Sequence, residues 1–151
     1  MTSKILISAC LLGENVRYDG NNNLILHPFL NQNIFIPICP ETLGGLSTPR
    51  VPAEIREKSV ITKDNIDVSQ AFYNGAKLVL DIVRKHEIKI AILKEKSPSC
   101  GVHHIYDGSF TRTLVNKSGI TTTFLKEADV IVFNEHEIDE AMEYYSKIAS
   151  K

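Results

Sequence analysis

At 151 residues, the chain fits one domain (1–151) large enough to bury a core without staples. Its composition, 43% hydrophobic and 23% charged, is that of a soluble globular protein, and a net charge of −1 supplies no field for nucleic acid or an anionic membrane. No apolar run approaches the ~20 residues that span a bilayer, and the N-terminus lacks a signal peptide's pattern, so a cytoplasmic setting is expected. Three cysteines, an odd number, fit a secreted disulfide framework poorly and suit ligand or catalytic thiols.

In chain order, Lys4–Ala9 reads as a strand apolar at nearly every position, hence central and covered on both faces. It delivers Cys10-Leu-Leu-Gly13, after which Val16-Arg-Tyr-Asp-Gly20 and Asn21-Asn-Asn23 are polar and turn-rich. A short helix is expected over Leu24–Leu30. Ile34–Ile38 is a second strand, placed at an edge by Pro37, and it delivers Cys39-Pro40-Glu41. Prolines 49 and 52 hold Ser47–Val60 as an extended loop, and Val60–Asp67 alternates weakly as a small hairpin.

Ser69–Lys85 carries a broad apolar stripe at helical spacing. Ile88–Leu93 is a buried strand, interrupted by Ser97-Pro-Ser-Cys-Gly101, where Pro98 removes a backbone donor. Ile120–Ala128 is a helix with threonines available to cap it, Val130–Phe133 a last strand and Glu137–Ile148 a last helix. Strands alternating with helices predict an α/β, Rossmann-like three-layer sandwich on a largely parallel sheet. The irregular stretches 11–33 and 40–66 are long enough to be active-site loops.

Cys10, Cys39 and Cys100 each follow a predicted strand. Parallel strands end along one edge, where open α/β folds place their ligands, so the three thiols are expected to converge there. Three protein ligands leave a metal position open. Thiolates suit iron–sulfur clusters, copper(I) or zinc, and zinc has His103 as a further ligand. Spacing alone does not choose among a cluster enzyme, a zinc hydrolase or structural module, and a non-enzymatic iron–sulfur sensor.

The stretches Ser8-Ala-Cys-Leu-Leu-Gly13, Val16-Arg-Tyr-Asp-Gly20, Cys39-Pro-Glu41, Thr48-Pro-Arg50, Pro52-Ala-Glu54, Ser97-Pro-Ser-Cys-Gly101 and Ile105-Tyr-Asp-Gly108 together resemble the thiouracil desulfurase family. The resemblance runs from residue 5 to about 135, and departs after Phe110, where residues 111–118 lack the family's usual glycine. It implies a 4Fe-4S cluster held by Cys10, Cys39 and Cys100, with one open iron to accept the sulfur of a thiocarbonyl substrate such as 2-thiouracil. The product would be uracil plus sulfide, without net redox change. The partner would be a small thiolated pyrimidine or thioamide.

Around that centre, Glu41 is the candidate general base and Ser99 a candidate proton relay or orienting hydroxyl. Ser97, Asp19, Arg17 and Arg50 are candidates for binding substrate, with Tyr18 beside them. Glu54 and Asp107 are expected to fix loops, and Lys94-Glu-Lys96 to form a solvated entry to the cysteine loop.

Overall fold

The computed structural model describes residues 3–149. Its centre is a four-stranded parallel sheet of β1 (Ile5–Ser8), β2 (Phe35–Ile38), β5 (Ile90–Leu93) and β8 (Ile131–Asn134), in the order β2-β1-β5-β8. The expected α/β three-layer sandwich is therefore observed. β1 and β5, buried at every position, are the two inner strands, and β2 with its Pro37 lies at an edge.

Alternation along the strands divides the core. Ile5, Ile7, Ile90 and Ile92 face a layer containing Phe29, Ile138, Ala141 and Tyr145. Leu6, Ala91 and Leu93 face Val79, Val83 and Leu125. The first layer is supplied by α4 (Ile138–Ala149) and the 3-10 turn Pro28–Asn31; the second by α2 (Ser69–His86) and α3 (Ile120–Glu127). Burying each large apolar side chain of this kind stabilises the fold by about 1.5–3 kcal/mol.

Three local expectations are corrected. Leu24–Leu30 is not a helix: a single 3-10 turn starts at Pro28, with the His27 ring accepting from the Phe29 N–H. Leu26 is 89% exposed, so nothing draws that segment into a core-facing helix. The chain does fold back over Val60–Asp67, with Ile61 bridged antiparallel to Asp67, but a longer ladder precedes it: β3 (Ala53–Arg56) pairs antiparallel with β4 (Ser59–Thr62) around a left-handed Glu57. Residues 53–56 thus belong to a ladder rather than an extended loop.

The threonines of α3 do not cap it. The carbonyls of Pro98 and Ser99 accept from the N–H groups of Ile120, Thr121 and Thr122. Thr122 Oγ1 instead donates to the Cys100 carbonyl, 2.8 Å away. A two-stranded ribbon, β6 (Ile105–Tyr106) with β7 (Leu114–Val115), was not anticipated.

One contact ties the helical layer to the sheet edge. α1 (Pro40–Leu43) follows β2 directly, with Cys39 at its N-cap and proline at its first position. Its terminal Gly44 crosses Gly75 of α2 so closely that a Cβ on Gly75 would sit 2.0 Å from the Pro40 carbonyl oxygen. Gly75→Ala should therefore destabilise by about 1–3 kcal/mol in urea unfolding, despite alanine's better helix propensity. An unchanged or raised midpoint would show that the crossing is slack.

Candidate functional site

The three cysteines line one cavity of about 580 Å³ at the carboxyl ends of β1, β2 and β5. This is where the strand order reverses, since the chain moves from β1 out to β2 and then to β5 on β1's other side. Cys10 sits on a 3-10 turn, Ala9–Leu12, closed by Gly13 in a left-handed conformation. The turn is held to the following loop by the N–H groups of Asn23 and Ile25, which donate to the Cys10 and Leu11 carbonyls. Cys39 is half-buried, its Sγ 3.9 Å from the Val16 carbonyl.

Cys100 is buried inside the turn that Pro98 and Gly101 impose. Gly101 is required there: a Cβ would lie 2.7 Å from the Ser97 carbonyl oxygen, with which the Gly101 N–H bonds. All three thiols are free of disulfides. Burial pushes the Cys100 thiol up to about 12 and raises Cys10 as well, hydrogen bonds to each sulfur opposing the shift.

The proton-carrying groups are ordered beside Cys100. Ser97 Oγ accepts from the N–H groups of Ser99 and Cys100, both at 3.1 Å, which leaves its own proton for Ser99 Oγ at 2.9 Å. Ser99 Oγ in turn donates to Glu41 Oε2 at 3.1 Å and lies 3.6 Å from Cys100 Sγ. Glu41 and Ser99 are 58 positions apart in sequence, yet they meet where the first turn of α1 faces the loop that follows β5.

Arg50 braces this arrangement from behind. Its Nε donates to Glu41 Oε1 at 3.0 Å, and its remaining nitrogens reach the Ser47 and Val16 carbonyls and Thr48 Oγ1. Arg17 lines the cavity, but its guanidinium is engaged by Asp19 at 3.1 Å and Asn23 at 2.9 Å. Asp19 is not among the lining residues; it pairs with Arg17 and accepts from the Asn21 N–H. Glu54, expected to fix a loop, accepts from the N–H groups of Gly108 and Phe110. Asp107 receives Ser109 in the same loop.

His103 is not assembled with the thiols. Its side chain is 47% exposed, pairs with Glu137 at 3.1 Å and lies outside the cavity lining. Among the described residues, no three His, Cys, Asp or Glu side chains stand close enough to clasp a single ion. A cluster spreads its thiolate ligands over several iron atoms and asks for less convergence than one zinc does. A donor set of three thiols around a roomy cavity fits such a group.

The residue that sequence reasoning most misjudged is Glu95. Far from being solvated, it is 6% exposed. Its carboxylate accepts from the N–H groups of Lys96, Val102, His103 and His104 and from Asn134 Nδ2. Burial opposes ionisation of Glu95, but the bonds from Asn134, His104, His103 and Val102 outweigh it and hold the carboxyl at about 2. Glu135 accepts from the Glu95 N–H, and Lys94 Nζ balances Glu135 at 2.9 Å. The loop that presents Ser97, Ser99 and Cys100 is thus tied at both ends to one anion.

These features define an α/β protein with its thiols gathered at the carboxyl edge of a parallel sheet, a carboxylate–serine pair beside them. The chain belongs to the 2-thiouracil desulfurase family, whose profile matches residues 5–137. It is similar to the uncharacterized protein YbbK of Bacillus subtilis (strain 168), with 34% identity over 150 residues, 91% of this chain and 99% of the relative. It is also similar to the solved structure of the 4Fe-4S-dependent thiouracil desulfidase TudS. There the TM-score is 0.93 at 40% identity, covering 95% of this chain and 98% of that one.

Glu95→Gln places an amide NH₂ against donors and should cost about 2–3 kcal/mol at neutral pH. The carboxyl's folded value, about 2, lies below the ordinary 4.5, so its contribution is complete above pH 4.5 and is lost as pH falls toward 2. Urea unfolding should therefore show the parent and Glu95→Gln curves converging across that window; a constant gap would contradict the assignment.

Proposed function

We propose that this chain hydrolyses the carbon–sulfur bond of a small thiocarbonyl compound, 2-thiouracil or a related thiopyrimidine or thioamide. Water supplies the oxygen that remains on carbon, and sulfur departs as sulfide. Cys10, Cys39 and Cys100 would hold a 4Fe-4S cluster and leave one iron open. When bound, the cluster supplies a Lewis-acidic iron with affinity for the substrate's sulfur, and no net redox change is needed. The protein's three free cysteines suit a reducing, cytoplasmic setting.

The observation that carries this reading is the Ser99–Glu41 hydrogen bond, 3.1 Å long and within reach of the Cys100 sulfur. Arg50 occupies Glu41 Oε1, so Oε2 is the oxygen that faces the chemistry. Oε2 takes a proton from the attacking water. Ser99 Oγ, already bonded to Oε2, passes a proton toward the departing sulfur and is re-protonated by Glu41. Ser97 holds Ser99 Oγ in place by donating to it. Arg17 and Arg50, committed to Asp19, Asn23 and Glu41, shape the cavity wall more than they offer free donors to substrate.

Anaerobic reconstitution followed by sulfide release from 2-thiouracil tests the proposal. Loaded Glu41→Gln should lose about 100-fold or more in kcat with iron and sulfide content unchanged. Cys100→Ser should fail to retain the cluster, because a hydroxyl replaces a soft thiolate. Ser99→Ala should retain it with reduced turnover. Near-parent turnover in Glu41→Gln would move water activation to another group, and a loaded chain that releases no sulfide would overturn the enzymatic reading.

A further inference from the structure

Asn23 belongs to the run Asn21-Asn-Asn23, which reads as solvated turn, yet the fold aims its side chain at a cysteine. Asn23 Nδ2 donates to Cys10 Sγ at 3.3 Å, and its backbone N–H donates to the Cys10 carbonyl at 2.9 Å. Which end of an amide faces a sulfur is ordinarily ambiguous. Here Arg17 resolves it. A guanidinium has no acceptor, so the group that meets Arg17 Nη1 at 2.9 Å must be the amide oxygen, leaving the NH₂ for sulfur.

Arg17 is itself fixed. Asp19 pairs with its Nη2 at 3.1 Å, and the Tyr18 ring lies 5.7 Å from the guanidinium carbon. The result is a polar chain from carboxylate to guanidinium to amide to sulfur, each link oriented by the one before. At Cys100 the corresponding group is Ser99 Oγ, 3.6 Å from the sulfur but already bonded to Glu41, while Ser8 Oγ in the same cavity wall accepts from the Lys94 N–H at 3.0 Å. Cys39 differs: its Sγ lies 3.9 Å from the Val16 carbonyl oxygen, an acceptor rather than a donor.

We propose that Asn23 is a positioning and tuning residue for the metal centre, an oriented N–H···S donor that draws electron density from the Cys10 thiolate. The proposal rests on the cluster reading above and assigns Arg17 and Asp19 to orienting Asn23. Hydrogen bonds to ligand sulfurs favour the more negative, reduced form of an iron–sulfur cluster and so raise its potential. With the bond intact, the cluster resists oxidation, which matters for a centre with an open iron.

The test compares the loaded parent with loaded Asn23→Leu, a neutral side chain of similar branched shape that offers sulfur no donor, and with Asn23→Ala. Both variants should show a more negative midpoint potential and several-fold faster bleaching in air. The iron–sulfur(cysteine) Raman bands of the parent should shift in D₂O, and that shift should shrink in both variants. A purely structural role would move neither the potential nor the isotope effect. Unchanged potential and unchanged isotope shift in either loaded variant would overturn the proposal. Failure of both to load, with the fold intact by circular dichroism, would overturn it too, since Asn23 would then be needed for assembly rather than tuning. A parent chain that binds no iron and sulfide would sink the cluster reading itself, a distinguishable result.

Discussion

The placement of Cys100 depends on one buried anion. The loop from Lys96 to His104 leaves β5 with no ladder to continue, so its N–H groups need acceptors inside the protein. Glu95 supplies them: both of its oxygens gather main-chain donors from the near and far ends of the loop. Asn134, at the end of β8, holds the same carboxylate, and its own orientation is set by the His136 N–H bonding its Oδ1. A charged acceptor matters because bonds to ions are about twice as strong as neutral ones. The loop is thereby rigid where it presents the thiol, although it contains no regular structure.

What was legible in the sequence follows from how local each feature is. β1 and β5 announce themselves because strands buried on both faces cannot alternate, and Ile5–Ile7 and Ile90–Leu93 do not. α2 matches its expected start and ends one residue later, because an 18-residue helix with one buried stripe has a strong period. The cysteines were legible because each follows a strand of one parallel sheet. The hairpin of β3 and β4 was not, since Ala53–Arg56 becomes a strand only by pairing with Ser59–Thr62, and two upstream prolines mask it.

Glu95 and Asn23 were illegible for a further reason. Among Lys94 and Lys96, a glutamate reads as a solvated charge; among three asparagines, one more reads as turn. Their roles arise from partners far along the chain, Asn134 for the first and Cys10 for the second. Neither separation, 39 positions for the first and 13 for the second, follows from a helical or strand period, so no local pattern announces either pair. The helix caps make the same point on a smaller scale: α3 begins at Ile120, after the N-cap Gly119, because the cysteine loop's carbonyls receive its first N–H groups, which no threonine motif reveals.

The cavity is also divided by solvent. Cys10 and Cys100 are buried, with Asn23 Nδ2 directed at the first sulfur and Ser99 Oγ 3.6 Å from the second, whereas Cys39 is half-buried. Glu41 follows Cys39 on the same first turn of α1, so the placement of that one turn sets both the thiol and the carboxylate. α1 has four residues and no inherent stability of its own. Its position is dictated by the Gly44–Gly75 crossing and by Arg50, which joins Glu41 to the Val16 and Ser47 carbonyls. Close backbone packing therefore does for the Cys39–Glu41 side what the Glu95 carboxylate does for the Cys100 side. The two sides meet in the bond between Glu41 and Ser99, which neither loop could fix without the other being held.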